Sequence, residues 1–376
     1  MFLRTSLAAV AAALILVACG GGGDGPSTPP GPRTTAVKVV GDSLSDSGTF
    51  GIKFTVQGTT APSLIWTDRV AAAVAAPALC PRYSAPGGIP ALNPAATACT
   101  SYGVGSGRIN PRGEPDTTRF SVVQQLKDVR AQSPYNPEEL LLVDGGGNDI
   151  ADLVGDYLAA PGDAGAAFLG LAGELLMPGE MAGLTLEQIG GVYMSKLADR
   201  LANALAAEAL DRGAQRVVVI TAPDVTRTPR FTAVLAGVEA TVNAGGGNGA
   251  AAAAGIKALA NQWTVAFNTQ LKARFAGHSR VAVVDFYAEL NKWLDTPATY
   301  GLTNTTTPAC PVVGVDGQGL PAYNIATCTD TLLSATPPTG DWWKTYVFSD
   351  NFHGTPRTNE LMGQLVVQAL EAKGWK

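Results

Sequence analysis

Two histidines stand in a chain of 376 residues, so a reaction that needs an imidazole base has only two places to occur. His353 lies in Phe348-Ser349-Asp350-Asn351-Phe352-His353-Gly354-Thr355-Pro356. An Asp three residues ahead of a His on a tight turn can reach Nδ1, fix the tautomer and stabilise an imidazolium. His278, in Ala276-Gly277-His278-Ser279, has no acid at a distinctive spacing and reads as a surface loop residue. Such a base serves a serine nucleophile. Ser43 is the candidate, in Gly41-Asp42-Ser43-Leu44-Ser45-Asp46-Ser47-Gly48. It is expected at a strand's C-terminal edge, ahead of a helix start. Open α/β sheets place their ligands there, and a helix N-terminus favours developing negative charge. The competing reading makes Ser43 a simple helix cap. The segment is not the nucleophile elbow G-x-S-x-G, because Ser45 occupies the second glycine's place.

A serine nucleophile that attacks a carbonyl also needs donors for an oxyanion. In Gly145-Gly146-Gly147-Asn148-Asp149 the glycines let backbone approach a ligand, and Asn148 offers an uncharged N–H. A common alternative is a strand–helix turn capped by Asn148 or Asp149. The glycine-dense Ser101-Tyr102-Gly103-Val104-Gly105-Ser106-Gly107 can present a backbone N–H. Metal chemistry has little material. H-E-x-x-H cannot be built from His278 and His353, and the cysteines lack C-x-x-C spacing. No metal and no cofactor are expected.

These residues need a scaffold that brings distant loops together. Four β-branched or leucine runs read as strands: residues 36–40, 140–143, 216–220 and 281–284. Near-continuous apolar runs suit strands buried on both faces of a parallel sheet. Between them, Leu197, Leu201 and Leu205 recur at helical spacing with Gly213 as a stop. Leu361, Met362, Leu365, Val366 and Leu370 mark a closing helix. The alternation argues for one α/β domain. Residues 155–190 and 240–260 are Ala/Gly-rich and read as insertions or loosely specified helices.

The order of these motifs resembles the GDSL, or SGNH, family of serine esterases and lipases, in its lipase-like branch. Gly41 to Gly48 is similar to the family's first block, Gly146 to Asp149 to its G-x-N-D block, and Asp350 with His353 to its D-x-x-H block. Residues 213–219 with Pro223-Asp224, and Asp285 with Pro297, residues 300–304 and Cys310, resemble further strands and loops of that branch. The resemblance spans about residues 37 to 370. It implies a three-layer α/β/α sandwich with a central, mostly parallel sheet, the flavodoxin-like SGNH hydrolase fold. It implies Ser43 as nucleophile, Asp350 and His353 as acid and base, and an oxyanion hole from Ser43, Gly105 and Asn148. Two departures stand out. The second block usually reads N-x-A-x-G-G, whereas here Ser101, Gly103 and Gly105-Ser106 take those places, so either Gly105 or Ser106 gives the second N–H. The last block usually continues H-P-T, but this chain has His353-Gly354-Thr355-Pro356.

The N-terminus reads as an export signal. Arg4 precedes an apolar run from Leu7 to Ala18, twelve residues long. That is too short to span a bilayer but suits a signal peptide. Leu16-Val17-Ala18-Cys19 resembles a bacterial lipobox, which implies lipidation of Cys19. The expected organisation is signal peptide 1–18, lipid-anchored Gly/Pro-rich tether 19–35 and catalytic domain 36–376. The expected location is the cell envelope, on an outer membrane by the sorting rule that Gly20 resembles. A secreted or periplasmic chain is the alternative. Four further cysteines allow three pairings, and short loops favour Cys80 with Cys99 and Cys310 with Cys328. An exported chain meets an oxidising compartment.

Composition narrows the partners. With 26 Lys+Arg against 31 Asp+Glu the net charge is −5, and only 15% of residues are charged. No basic footprint for nucleic acid exists. The expected partners are an ester substrate and a membrane held through the lipid. Phospholipid, acetylated carbohydrate and polyester oligomers remain open as substrates, because fold and triad do not choose among them. A non-catalytic, lipid-anchored binding protein is the alternative of a different class.

Overall fold

The computed structural model describes residues 33–113 and 117–376. The signal peptide 1–18, Cys19 and most of the tether lie outside the described residues. The four apolar runs form β1 (Ala36–Val40), β2 (Glu139–Val143), β3 (Val217–Ile220) and β4 (Val281–Val284). They pair in parallel, in the order β1-β2-β3-β4. Thr100 to Tyr102 adds one bridge on the outer side of β1. Val39 N–H donates to Thr100 O at 3.0 Å, and Tyr102 N–H to Val39 O at 2.7 Å. With that segment counted second along the chain, the strands run in the flavodoxin-like order 2-1-3-4-5. Such sheets bind ligands where the order reverses, outside the ends of β1 and β2 here.

Successive side chains of each strand go to opposite faces, so each apolar run feeds two cores. Val40, Leu141, Val143, Val217 and Val219 face one core with α2 (Val122–Gln132), α3 (Gly147–Asp163), α4 (Leu186–Glu208), the start of α5 (Pro229–Ala244) and α6 (Gly249–Arg274). Val37, Val39, Leu140, Leu142, Val218 and Ile220 face the other core. There α1 (Trp66–Ala73), α7 (Phe286–Asp295) and α8 (Pro356–Ala372) cover the sheet. The result is the three-layer α/β/α sandwich. Each fully buried aliphatic side chain contributes about 1.5–3 kcal/mol.

Leu197, Leu201 and Leu205 are buried along α4, as their spacing requires. Thr185 starts that helix with a reciprocal cap, since Thr185 N–H donates to Gln188 Oε1 and Thr185 Oγ accepts from Gln188 N–H. The Ala/Gly-rich stretches are mostly helical, the second of their two expected readings. Alanine's high propensity forms α5 and α6, and Gly245 to Gly247 break them. Two disulfides close local loops, Cys80–Cys99 and Cys310–Cys328, with Cα separations of 5.0 and 5.5 Å.

The contact between α4 and α6 uses a missing side chain. Gly190 lies against the Trp263 ring, and a Cβ there would stand 2.4 Å from a ring carbon. Trp263 cannot move freely, because it is buried and its Nε1 donates to Glu187 O at 2.9 Å. Gly190→Val is therefore expected to lower stability by about 2 kcal/mol, despite the loss of a helix-weakening glycine. The urea midpoint of unfolding reads this directly.

Candidate active site

Ser43 follows β1 on a tight turn, not on the start of a helix. The turn is built by Asp42: its Oδ1 accepts the Leu44 N–H at 2.9 Å and its carbonyl accepts the Ser45 N–H at 3.1 Å. The next helix begins only at Trp66. The expected helix start at Ser43 is therefore corrected, and with it the reading of Ser43 as a helix cap. Asp42 and Asp46 fold the chain locally by capping their own backbone, which competes with helix formation. The helix N-terminus at the site comes from α3 instead, which begins at Gly147.

His353 arrives from the other end of the chain. Its Nε2 lies 2.8 Å from Ser43 Oγ, and its Nδ1 lies 2.7 Å from Asp350 Oδ2. An ionised carboxylate only accepts, so Nδ1 carries hydrogen and Nε2 is left to accept from the serine hydroxyl. The turn is held by Asp350 Oδ1, which takes the N–H groups of Phe352 at 2.9 Å and His353 at 2.8 Å. The loop around the Cys310–Cys328 disulfide braces it, with Cys310 N–H donating to Ser349 O at 2.9 Å. The displaced proline has a place of its own. Pro356 is the first residue of α8 behind the cap Thr355, where a missing N–H costs nothing.

Burial and charge oppose each other in this pair. Burial disfavours the imidazolium, but the Asp350 carboxylate more than offsets it, so His353 titrates above its ordinary value. Burial likewise raises Asp350, yet the His353 charge and the turn's N–H groups hold it below the usual carboxylate range.

Asn148 is the second residue of α3, and its Nδ2 donates to Gly107 O at 2.9 Å. An amide nitrogen has two hydrogens, so one remains for a ligand. Gly105 is a different matter. Its N–H donates to Asp46 Oδ2 at 2.8 Å, so it is spent inside the protein. Ser106 lines the pocket beside Ser43, Gly147 and Asn148. Among the described residues no acceptor takes the N–H of Ser43 or of Ser106. Of the two expected candidates, Gly105 therefore has its N–H occupied, while Ser106 keeps its own free beside the pocket. Ser106 has φ +65°, a left-handed conformation uncommon for a residue other than glycine. Sequence reasoning missed the cause, because the interaction that occupies Gly105 joins residues 59 positions apart.

The pocket measures about 290 Å³. Leu44, Phe54, Ala151, Pro223, Val225 and Phe352 give it an apolar wall. Phe54 packs on the His353 ring with centroids 4.9 Å apart. Of the other aromatic residues near the motifs, Trp66, Tyr102 and Trp343 are core. The turn after β3 was marked by Pro223-Asp224, but nothing local showed that Pro223 and Val225 line the pocket. His278 lies in the loop before β4, at the opposite end of the sheet, and its Nδ1 accepts from Arg280 N–H.

A serine, a histidine and an aspartate bonded in series beside free main-chain donors, at the carboxyl ends of a parallel sheet, form the arrangement of an acyl-transferring hydrolase. The chain belongs to the GDSL-like lipase/acylhydrolase family, whose model matches residues 37–366. It is thus an ester-bond hydrolase by family. Comparison with curated proteins returns no match.

The electrostatics of the His–Asp pair give a pH test. The acid limb of kcat/KM should have its midpoint above the ordinary imidazole value of about 6.5. Asp350→Asn removes the carboxylate but keeps the burial, so the imidazolium loses its support. The midpoint should fall, moving the acid limb to lower pH, while kcat drops on the order of 10⁴-fold. A pH–rate profile of both proteins checks the sign.

Proposed function

We propose that the protein is a serine esterase acting through an acyl-enzyme on Ser43. His353 Nε2 takes the hydroxyl proton as Ser43 Oγ attacks the ester carbonyl, and Asp350 orients and stabilises the imidazolium. The proton then passes to the departing alkoxide. Water hydrolyses the acyl-enzyme with His353 again as base. The oxyanion is held by the N–H groups of Ser43 and Ser106 and by the Asn148 amide. The single observation that carries this reading is the 2.8 Å contact of His353 Nε2 with Ser43 Oγ at the floor of a pocket that those donors also face.

The pocket supports an acyl group of short to moderate length. Its wall is apolar on one side, and at about 290 Å³ it lies at the small end of the range for ligand pockets. We also propose export with a lipid on Cys19, which the apolar run before it supports. The paired cysteines fit the oxidising compartment such a route implies.

Ser43→Ala should abolish turnover of a chromogenic short-chain ester and abolish labelling by a fluorophosphonate, with the fold unchanged by circular dichroism. A binding protein on this scaffold would leave the wild type unlabelled. Asn148→Ala should lower kcat by about 10²–10³, the usual loss for one oxyanion donor. Ser106→Gly should retain kcat, because glycine keeps the N–H and tolerates φ +65°. A comparable loss in Ser106→Gly would assign the role to the hydroxyl instead.

A further inference from the structure

Two buried carboxyl groups are neighbours beneath the nucleophile turn. Asp42 at the end of β1 and Asp144 at the end of β2 are 5% and 2% exposed, each acts on the other's charge, and Asp144 Oδ2 is buried with no donor. They can meet because Gly41 carries no side chain: a Cβ there would stand 1.4 Å from Asp144 Oδ1. Two ionised carboxylates only accept and repel each other, so burying them as neighbours without a cation between them favours a hydrogen on one of them.

The surroundings decide which acid keeps it. Asp42 Oδ1 accepts the Leu44 N–H, and Asp42 is faced by the positive charges of His353 and Arg108. Both favour its ionised form. Arg108 itself is closed on Asp152 of α3, with Nη2 at 2.9 Å. Asp144 Oδ1 takes the Ser45 hydroxyl at 2.5 Å, while its Oδ2 is buried without a donor and is faced by the like charge of Asp42. From α2 comes only the neutral Gln125, which accepts the Gly41 N–H at 2.7 Å. Burial and then the Asp42 charge push Asp144 well above the carboxylate range. Burial also raises Asp42, but its hydrogen bonds and the two cations work against that rise.

We propose that Asp144 is a positioning residue for the esterase reaction: it stays protonated at neutral pH and donates its hydrogen to the Asp42 carboxylate. The pair then locks the turn that carries Ser43 and leaves one negative charge under the site. That charge supports the His353 imidazolium, whereas a second would oppose an oxyanion. The proposal rests on the esterase reading, so its test includes a measurement independent of turnover.

Asparagine reproduces a protonated aspartate at this place, with Nδ2 donating to Asp42 and Oδ1 accepting from Ser45. Asp144→Asn should therefore keep kcat on a short-chain ester within about threefold, while Asp144→Ala, which strips both bonds, should lower it about ten- to a hundredfold. In infrared spectra at about pH 8, the wild type should show a protonated-carboxyl C=O band that Asp144→Asn lacks. Absence of that band overturns the proposal. So does an Asp144→Asn protein that is folded yet as impaired as the alanine variant, or recovery by Asp42→Asn alone, which would put the hydrogen on Asp42. If Asp144→Ala does not fold, the asparagine variant and the band still decide. A wild type that neither hydrolyses nor labels with fluorophosphonate would end the esterase reading, and the band would still report the shared hydrogen.

Discussion

The site depends on how closely two adjacent strand ends approach. β1 ends at Val40 and β2 at Val143, registered directly opposite each other. Beyond them Gly41 and Asp144 occupy the same small space, and any side chain at Gly41 would collide with Asp144. Gly41 also has φ +156°, at the edge of the region that favours glycine. With that approach made, the Ser43 turn and the Gly145-Gly146-Gly147 turn lie side by side. Gly146, at φ +100°, then swings the chain into α3 and directs Asn148 to the site. A parallel sheet supplies this neighbourhood without local encoding, since Gly41 and Asp144 meet only because their strands pair.

The same helix fixes the second-block loop through a row of polar contacts. Asn148 holds Gly107 O, and Asp149 takes the N–H groups of Ile109 at 3.1 Å and Asn110 at 2.8 Å. One turn further along, Asp152 pairs with Arg108, and one turn beyond that Asp156 pairs with Arg112. Spacings of three and four residues put these acids on one face of α3. The outer pairs are half exposed and individually worth little. Asp149 differs, being fully enclosed and pushed up to about 6 by burial, against the two N–H groups that favour its charge. It acts as a buried clamp for the loop that presents Ser106. Asp46 clamps the same loop from the other side by holding the Gly105 N–H. A donor geometry set by two buried acids is more rigid than one carried on a free glycine turn.

Much of this could be read from the sequence, and the boundary has a physical meaning. The strands were legible because a doubly buried parallel strand must be apolar along its whole length. Leu197, Leu201 and Leu205 were legible because one helix face must be buried. Asp350 with His353 was legible because the acid reaches the imidazole within a single turn. What escaped was set by contacts distant in the chain. The choice between Gly105 and Ser106 turned on Asp46, and the pocket wall of Pro223 and Val225 came from the end of a different strand. The helix expected at Ser43 failed for a local reason, because Asp42 and Asp46 cap their own turn more effectively than they start a helix.

The distribution of charge explains why the donors are neutral. Asp42, Asp46, Asp144, Asp149 and Asp350 are all buried around one pocket, in a chain only 15% charged. An arginine there would form an ion pair with one of them instead of meeting the oxyanion, as Arg108 does with Asp152. The Ser43 and Ser106 N–H groups and the Asn148 amide carry no charge to be drawn into such a pair, and their residues line the pocket. The acids act on His353 in turn, because the charges of Asp350 and Asp42 favour its imidazolium form. Asp46 and Asp149 spend their charge on backbone N–H groups and Asp350 on His353. In the reaction proposed above, a hydrogen kept by Asp144 bounds that negative potential, so that the site favours proton removal from Ser43 while leaving a neutral cradle for the oxygen that becomes charged.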